Sequence, residues 1–388
     1  MSRSRLRLLI LVFTLVVAVG AHSQPASPPK SYRDAARVAA LSGDNEAAIH
    51  LYEQALSSGL KIFKEDDIEI IIRRAELGEA YRAAGRWNDA IPQLDYVWKR
   101  TRFDAEKLQQ WTQSAGSLAF SSAEKLGRAC QGASRYTEAV MVFSTAIADA
   151  DKAKRDDEMV LNLDALLADT LLLLGRDEEA ERAIKVAVDR IERQHRETPL
   201  AHAQALVGIG TLCYHHRRFE KARVIAEKAL AQIQKLPNAA PSLVARFQDN
   251  LGATLVPLGR LDEAEKLLIA ARDGFLQRYT VEAPELMHVN LHLAELATRR
   301  GQHEEAQKLT EEALRICRMH YPETHAETAK CLHNLAACWL ELKQPGKAAD
   351  LCARAVAIYE TTLGQDNPAS RESRALLQKA TQVNIKNR

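Results

Sequence analysis

Aromatic residues make up only 5% of this 388-residue chain, and glycine and proline supply just 17 and 12 residues. A β-rich fold draws on aromatics for its strands and on turn residues at short intervals, so this scarcity points away from one. No alternating apolar run competes with helical spacing. An excess of one charge is missing too, since 53 Lys and Arg face 51 Asp and Glu, for a formal net charge of +2. Without Arg3, Arg5 and Arg7 the basic count falls to 50. Such a balance gives non-specific nucleic-acid binding no footing, and no nucleic acid is expected as a partner. The six cysteines, Cys130, Cys213, Cys317, Cys331, Cys338 and Cys352, lack the spacing of a disulfide or zinc framework. There is no Gly-rich phosphate loop, nucleophile elbow or paired-carboxylate motif. Enzyme activity, a catalytic residue, a cofactor and a small-molecule substrate are therefore not expected.

Long apolar runs are absent apart from one. Leu8 to Val19 is interrupted only by Thr14, preceded by Arg3, Arg5 and Arg7, and followed by Gly20, Ala21 and Ser23. These are the n-region, h-region and small-residue cleavage pattern of a secretory signal. The run is short beside the ~20 residues a membrane-spanning helix needs, so cleavage is favoured over anchoring. Positive residues ahead of the run would send the downstream chain across the membrane. The alternative keeps residues 1–23 as a membrane-targeting segment in the cytoplasmic interface. Residues 24–31, with Pro25, Pro28 and Pro29, read as an extended linker. A reducing compartment suits the unframed cysteines better than export does, and the two observations pull apart.

What the chain has in abundance is repetition. Ala48, Ala90, Ala139, Ala180, Ala222, Ala264, Ala306 and Ala348 follow one another at steps of 42, 49, 41, 42, 42, 42 and 42 residues. Seven residues after each anchor stands another small residue, from Ala55 and Val97 to Ala313 and Ala355. Twelve before each stands only Gly or Ala: Ala36, Gly78, Gly127, Ala168, Gly210, Gly252, Ala294 and Ala336. Small residues at both places let two helices of a unit approach closely, and units too thin to bury their own faces must stack. Gly43, Gly85, Gly175, Gly259 and Gly301, five before their anchors, predict left-handed helix ends. Asp44, Asp177 and Asp262 predict caps of the second helices. Pro92 predicts a local distortion. The long step around Trp98 to Trp111 predicts a lengthened helix pair or a bend. Ser370 to Val383 predicts a closing helix whose inner side is Ala375, Leu376, Leu377 and Ala380. Residues 384–388 remain as a tail. Cys130, Cys213 and Cys352 fall on core positions, and Cys317 and Cys331 are expected to face one another across the turn near Thr324.

Asn250-Leu251-Gly252, His292-Leu293-Ala294 and Asn334-Leu335-Ala336 each precede a turn and an alanine-anchored second helix. Tyr321-Pro322-Glu323-Thr324-His325 and Gly364-Gln365-Asp366-Asn367-Pro368 join successive units. These segments resemble the tetratricopeptide repeat, and the 42-residue period resembles the kinesin light chain variety, over about residues 32–383. The resemblance implies an all-α, right-handed solenoid of about eight helix pairs with a C-terminal capping helix. Kinesin light chains also carry a long heptad coiled coil, for which there is no room before Tyr32, so a motor subunit is not expected. The likeness is greatest to bacterial kinesin light chains, a family associated with tubulin-like filaments.

In this family the ligand-facing positions fall about eighteen and fourteen residues before each anchor. Here they hold Arg246 with Asn250, His288 with His292, and Lys330 with Asn334. Amides bond a peptide backbone through a donor and an acceptor, while Arg and Lys attract carboxylates. The same six residues also fit a solvated polar face without a ligand. Earlier repeats hold Asp34, Glu76, Lys125, Leu166 and Gly208 there. His288 with His292, and Cys213-Tyr214-His215-His216, lack the third ligand that zinc requires, so no metal is expected. Taken together, the expectation is a non-enzymatic adaptor binding a protein, with a tubulin-like filament at the cytoplasmic membrane face as the leading partner. The alternative is an exported periplasmic or envelope scaffold holding peptides or assembly partners.

Overall fold

The computed structural model describes residues 31–103, 115–365 and 367–386, and every described element is an α-helix. The helices are α1 (Tyr32–Leu41), α2 (Asn45–Leu60), α3 (Ile68–Ala83), α4 (Trp87–Phe103), α5 (Ala115–Gly132), α6 (Tyr136–Lys152), α7 (Glu158–Leu173), α8 (Asp177–Gln194) and α9 (Pro199–His215). They continue as α10 (Phe219–Gln234), α11 (Pro241–Leu255), α12 (Leu261–Leu276), α13 (Pro284–Arg299), α14 (His303–His320), α15 (Ala326–Glu341), α16 (Pro345–Leu363) and α17 (Pro368–Lys386). The all-α architecture of tandem helix pairs with a closing helix is thus observed. The signal-like segment and most of the linker lie outside the described residues, as do residues 104–114 within the long step. Among the described residues no helix is long and apolar enough to cross a membrane.

The chain divides into two compact units, one ending at Ala133 and the other beginning at Ser134. In the first, α1 to α5 pack in succession, and α4 runs through Pro92 without interruption. In the second, α6 to α17 pack in succession, and first helices also touch the next first helix: α7 with α9, α11 with α13, α13 with α15, α15 with α17. Between α9 and α11 the approach is looser.

The repeating small residues sit where close helices demand them. All eight anchor alanines are at most 1% exposed. A β-carbon built on Gly78 would lie 2.8 Å from Leu94 Cδ2, and one on Gly252 would lie 2.8 Å from Leu268 Cγ. Glycine at these two places therefore makes room for a leucine of the partner helix.

The turns follow one rule. The residue five before the anchor has positive φ in every repeat, from 81° at Gly43 to 76° at Gly301. Where glycine is missing, Ser134, Arg217 and Lys343 adopt φ of 59°, 59° and 61°. The next residue returns its N–H to a carbonyl near the helix end, as from Arg176 N to Leu171 O at 2.9 Å, satisfying an otherwise orphaned acceptor.

The expected caps need correction. Asp44 caps α2 by accepting from Ala47 N, but Asp177 and Asp262 lie inside the first turns of α8 and α12. Arginine occupies the position before those helices, and Arg176 and Arg260 bind the glutamate three residues on, at 2.6 Å in both cases. Asp177 and Asp262 instead pair with Arg218 and Arg300, from neighbouring repeats, while complementing the helix dipoles.

The closing helix α17 buries Ala380 and partly buries Leu376 and Leu377 against Ala336, Leu340, Ala348 and Cys352. Ala375, expected on that inner side, is exposed. Ser373 takes the buried place and bonds His333 Nδ1 at 2.9 Å, because the face in contact is rotated by two residues. All six cysteines are buried. Cys317 and Cys331 are adjacent in the core, where burial and the neighbouring Cys317 thiol push the Cys331 thiol up.

Candidate functional site

Looser packing between α9 and α11 opens a cleft of about 170 Å³ in the second unit. Val207, Gly210, Thr211, Tyr214 and His215 come from α9, Ala222 and Ala226 from α10, and Asn250, Ala253 and Thr254 from α11. His292 of α13 and Lys330 of α15 complete it. Repeat five has a local cause for the opening. Where Gly252 faces Leu268, the equivalent pair is Gly210 and Ala226, and a β-carbon on Gly210 would come no nearer than 3.4 Å to Ile225 Cγ2. Two small residues in one place leave the partner helix without the side chain that fills the gap in the next repeat.

The floor is apolar and the rim polar. Lys330 is half-buried, and no carboxylate among the described residues lies within salt-bridge range of it. His292 Nδ1 is 2.7 Å from Asp249 Oδ1, which fixes that ring and leaves Nε2 for another partner. The Asn250 carbonyl accepts from Thr254 Oγ1 at 2.7 Å, while its side-chain amide keeps both donor and acceptor capacity. Burial drives the His215 imidazole toward its neutral form, and the Lys330 charge adds to this. His288 is held neutral by the same two causes in the same order. The Tyr214 hydroxyl is pushed up by burial, and its ring meets Phe219 edge-on with centroids 5.4 Å apart. The cleft thus offers one cation without a carboxylate in range beside hydrogen-bond donors and acceptors, an arrangement suited to a carboxylate on a polypeptide.

Of the six residues picked from the sequence, Asn250, His292 and Lys330 line this cleft. Arg246 is exposed outside it, His288 lies one turn before His292 within the field of Lys330, and Asn334 is half-buried away from the lining. Thr211, Tyr214, His215 and Thr254 were not anticipated. The coincidence of Gly210 with Ala226 is the sequence signal that locates them. At the matching place in the first unit Glu76 is consumed by Arg33 at 2.5 Å and Arg37 at 2.7 Å. The hollow of about 760 Å³ there is lined by Tyr32, Arg33, Arg37 and Arg73, of which Arg33 and Arg37 are tied to Glu76 and Arg73 lies 3.8 Å from Glu69.

Metal ligation finds no geometry among the described residues, where no three His, Cys, Asp or Glu converge. Cys213 faces the core, His215 the cleft, and His216 Nε2 bonds Asp169 Oδ1 at 2.8 Å.

Residues 243–318 and 285–361 match the tetratricopeptide repeat family, so this stretch consists of tetratricopeptide repeats. No curated protein matches the chain. Among solved structures, BtubC (BKLC) from P. vanneervenii is 18% identical, covering 53% of this chain and 89% of its own at a TM-score of 0.41. A kinesin light chain-like repeat protein from Podospora anserina is 23% identical, covering 49% and 90% at 0.39. A tetratricopeptide repeat protein from Parabacteroides merdae is 14% identical, covering 80% and 98% at 0.49.

Proposed function

We propose that this chain is a non-enzymatic protein-interaction scaffold whose cleft between α9, α11, α13 and α15 receives an acidic, extended segment of a partner. The observation that carries the reading is Lys330, a half-buried cation with no carboxylate in range, at the rim of an open cleft with the free Asn250 amide beside it. Exposed Arg246, one turn before Asn250, adds a second cation, and His288, His292 and Asn334 add polar groups. Hydrogen bonds to charged groups contribute about 1.5–3 kcal/mol each, enough for a few such contacts to select a partner. The kinesin light chain resemblance makes a tubulin-like filament the first candidate, reached at the membrane face if residues 1–23 stay attached. The signal pattern from Arg3 to Ser23 favours a second reading, an exported scaffold in the envelope.

Affinity for candidate partners is the test. Arg246→Glu with Lys330→Glu is expected to weaken an acidic partner, chiefly by slowing association, while circular dichroism stays unchanged. Affinity that is equal for wild type and double variant at low salt would remove the binding site from this face. Co-sedimentation with polymerised tubulin-like protein separates the filament from other partners.

A further inference from the structure

Two imidazoles at or beside this cleft, His215 and His288, make no hydrogen bond to the protein, although the His215 ring meets Tyr214 edge-on with centroids 6.1 Å apart. Among the described residues His216, His292 and His333 are bonded to Asp169, Asp249 and Ser373 at 2.8, 2.7 and 2.9 Å. His215, in the cleft wall, and His288, one turn from His292, have no such bond. We infer that an acidic segment entering the cleft draws protons from solvent onto His215 and His288, so that binding tightens as pH falls below neutrality. This rests on the reading above that the cleft takes an acidic segment.

The surroundings of both rings supply the mechanism. His215 is faced by Lys330 from α15, His216 on its own helix, Asp169 from α7 and Glu372 from α17. His288 is faced by Lys330 and Glu327 from α15, His292 on its own helix and Asp249 from α11. Burial and Lys330 are the two largest influences on each ring, and both favour the neutral form. With Lys330 as the dominant charge the rings therefore resist protonation. A carboxylate seated beside Lys330 offsets that charge and adds an opposite charge within reach of the rings, which raises their hold on a proton. Each ring then gains one proton from solvent and no other bond changes. Linkage requires the reverse effect in equal measure, with protonation of the rings strengthening the hold on the carboxylate. Glutamate side chains, with an ordinary value near 4.3, remain ionised through the range in which this happens.

The experiment uses the full chain and a rhodamine-labelled octaglutamate peptide, read by fluorescence anisotropy at pH 7.5, 6.5 and 5.5 in low salt, with circular dichroism confirming the fold at each pH. Affinity is expected to rise at least about fivefold from pH 7.5 to 5.5. Calorimetry in two buffers of different ionisation enthalpy should register proton uptake on binding near pH 6.5. His215→Gln with His288→Gln is expected to flatten the profile, whereas His50→Gln, at an exposed site in the first unit, should keep it. Binding that is equally tight at all three pH values, without proton uptake, overturns the proton coupling and leaves the acidic-segment reading standing. A profile shared by the double variant and wild type overturns the assignment to these rings. Absence of binding at every pH overturns both readings. If the double variant fails to fold, the proton count on wild type still decides.

Discussion

A β-carbon added at Gly252 would approach Leu268 Cγ to 2.8 Å, whereas at Gly210 the nearest atom is 3.4 Å away. Alanine gains about 1 kcal/mol over glycine inside a helix when nothing obstructs it. Gly210→Ala should therefore be neutral or stabilising, and Gly252→Ala should cost about 1–3 kcal/mol through overpacking. Chemical denaturation of both variants gives the comparison, and equal effects would contradict the packing described. Ala294→Leu should be destabilising to a similar degree as Gly252→Ala. The left-handed turn residues allow a second contrast. Lys343, at φ 61°, lies where Gly301 lies in the preceding repeat, at φ 76°. Gly301→Ala is expected to lose about 1 kcal/mol, while Lys343→Gly relieves strain of that order, part of which the greater freedom of the unfolded chain cancels. Positions such as these were legible because the same positive-φ turn recurs in every repeat, at steps of 41 to 49 residues. Asp177 and Asp262 were misread because an arginine already occupied the capping position, and a cap depends on a shift of one residue that spacing does not resolve.

Helices α6, α7 and α8 meet around a buried arginine. Arg190, 3% exposed, binds Asp164 and Asp156 at 2.6 Å each and Asp151 at 3.1 Å. Three carboxylates share one guanidinium, and burial with the two neighbouring acids pushes the deepest of them, Asp164, up to about 6. Removing the arginine leaves those charges uncompensated, so Arg190→Met is expected to cost about 3–5 kcal/mol. Asp164→Asn, which removes one competing charge and keeps the shape, should cost far less at pH 7. Thermal melts of the two variants test the asymmetry, and the reverse order would refute it. At the other end of this unit, α17 covers Ala336, Leu340, Ala348 and Cys352. Truncation after Leu363 is expected to expose that face and raise hydrogen exchange first in α15 and α16. The closing helix was legible from its apolar residues. Its rotation was not, because Ser373 bonded to His333 carries no apolar signature.

On the scale of the whole molecule, proton linkage sets how stability varies with pH. Burial holds His202, His215, His288 and His333 in the neutral form. In the unfolded chain these rings take up protons near the ordinary histidine value of about 6.5. Stability is therefore complete above that value and lost as pH falls below it. Asp164 works in the opposite sense, since its folded form keeps a proton up to about pH 6 and stability from this source grows on acidification. Four groups against one favour a falling melting temperature between pH 7 and 5.5, and a rise would contradict the reading. The compartment has its own test, because mass spectrometry of protein from its native host should find a chain beginning near His22 or Gln24 if export is right, and an intact N-terminus if residues 1–23 serve as a tether. Repeat number and helix placement could be read from the sequence, since stacking forces the same small residues into every unit. The cleft could be read only in part, because His215 and Lys330 lie in α9 and α15, three repeats apart, and only the fold brings them together. Gly210 and Ala226 have a consequence for how such a chain diversifies. A pocket made by one missing side chain opposite a glycine can be closed by Ala226→Leu and opened in another repeat by exchanging one leucine, with every turn and anchor retained. Binding specificity can then migrate along the array by steps of one repeat while the architecture is inherited unchanged.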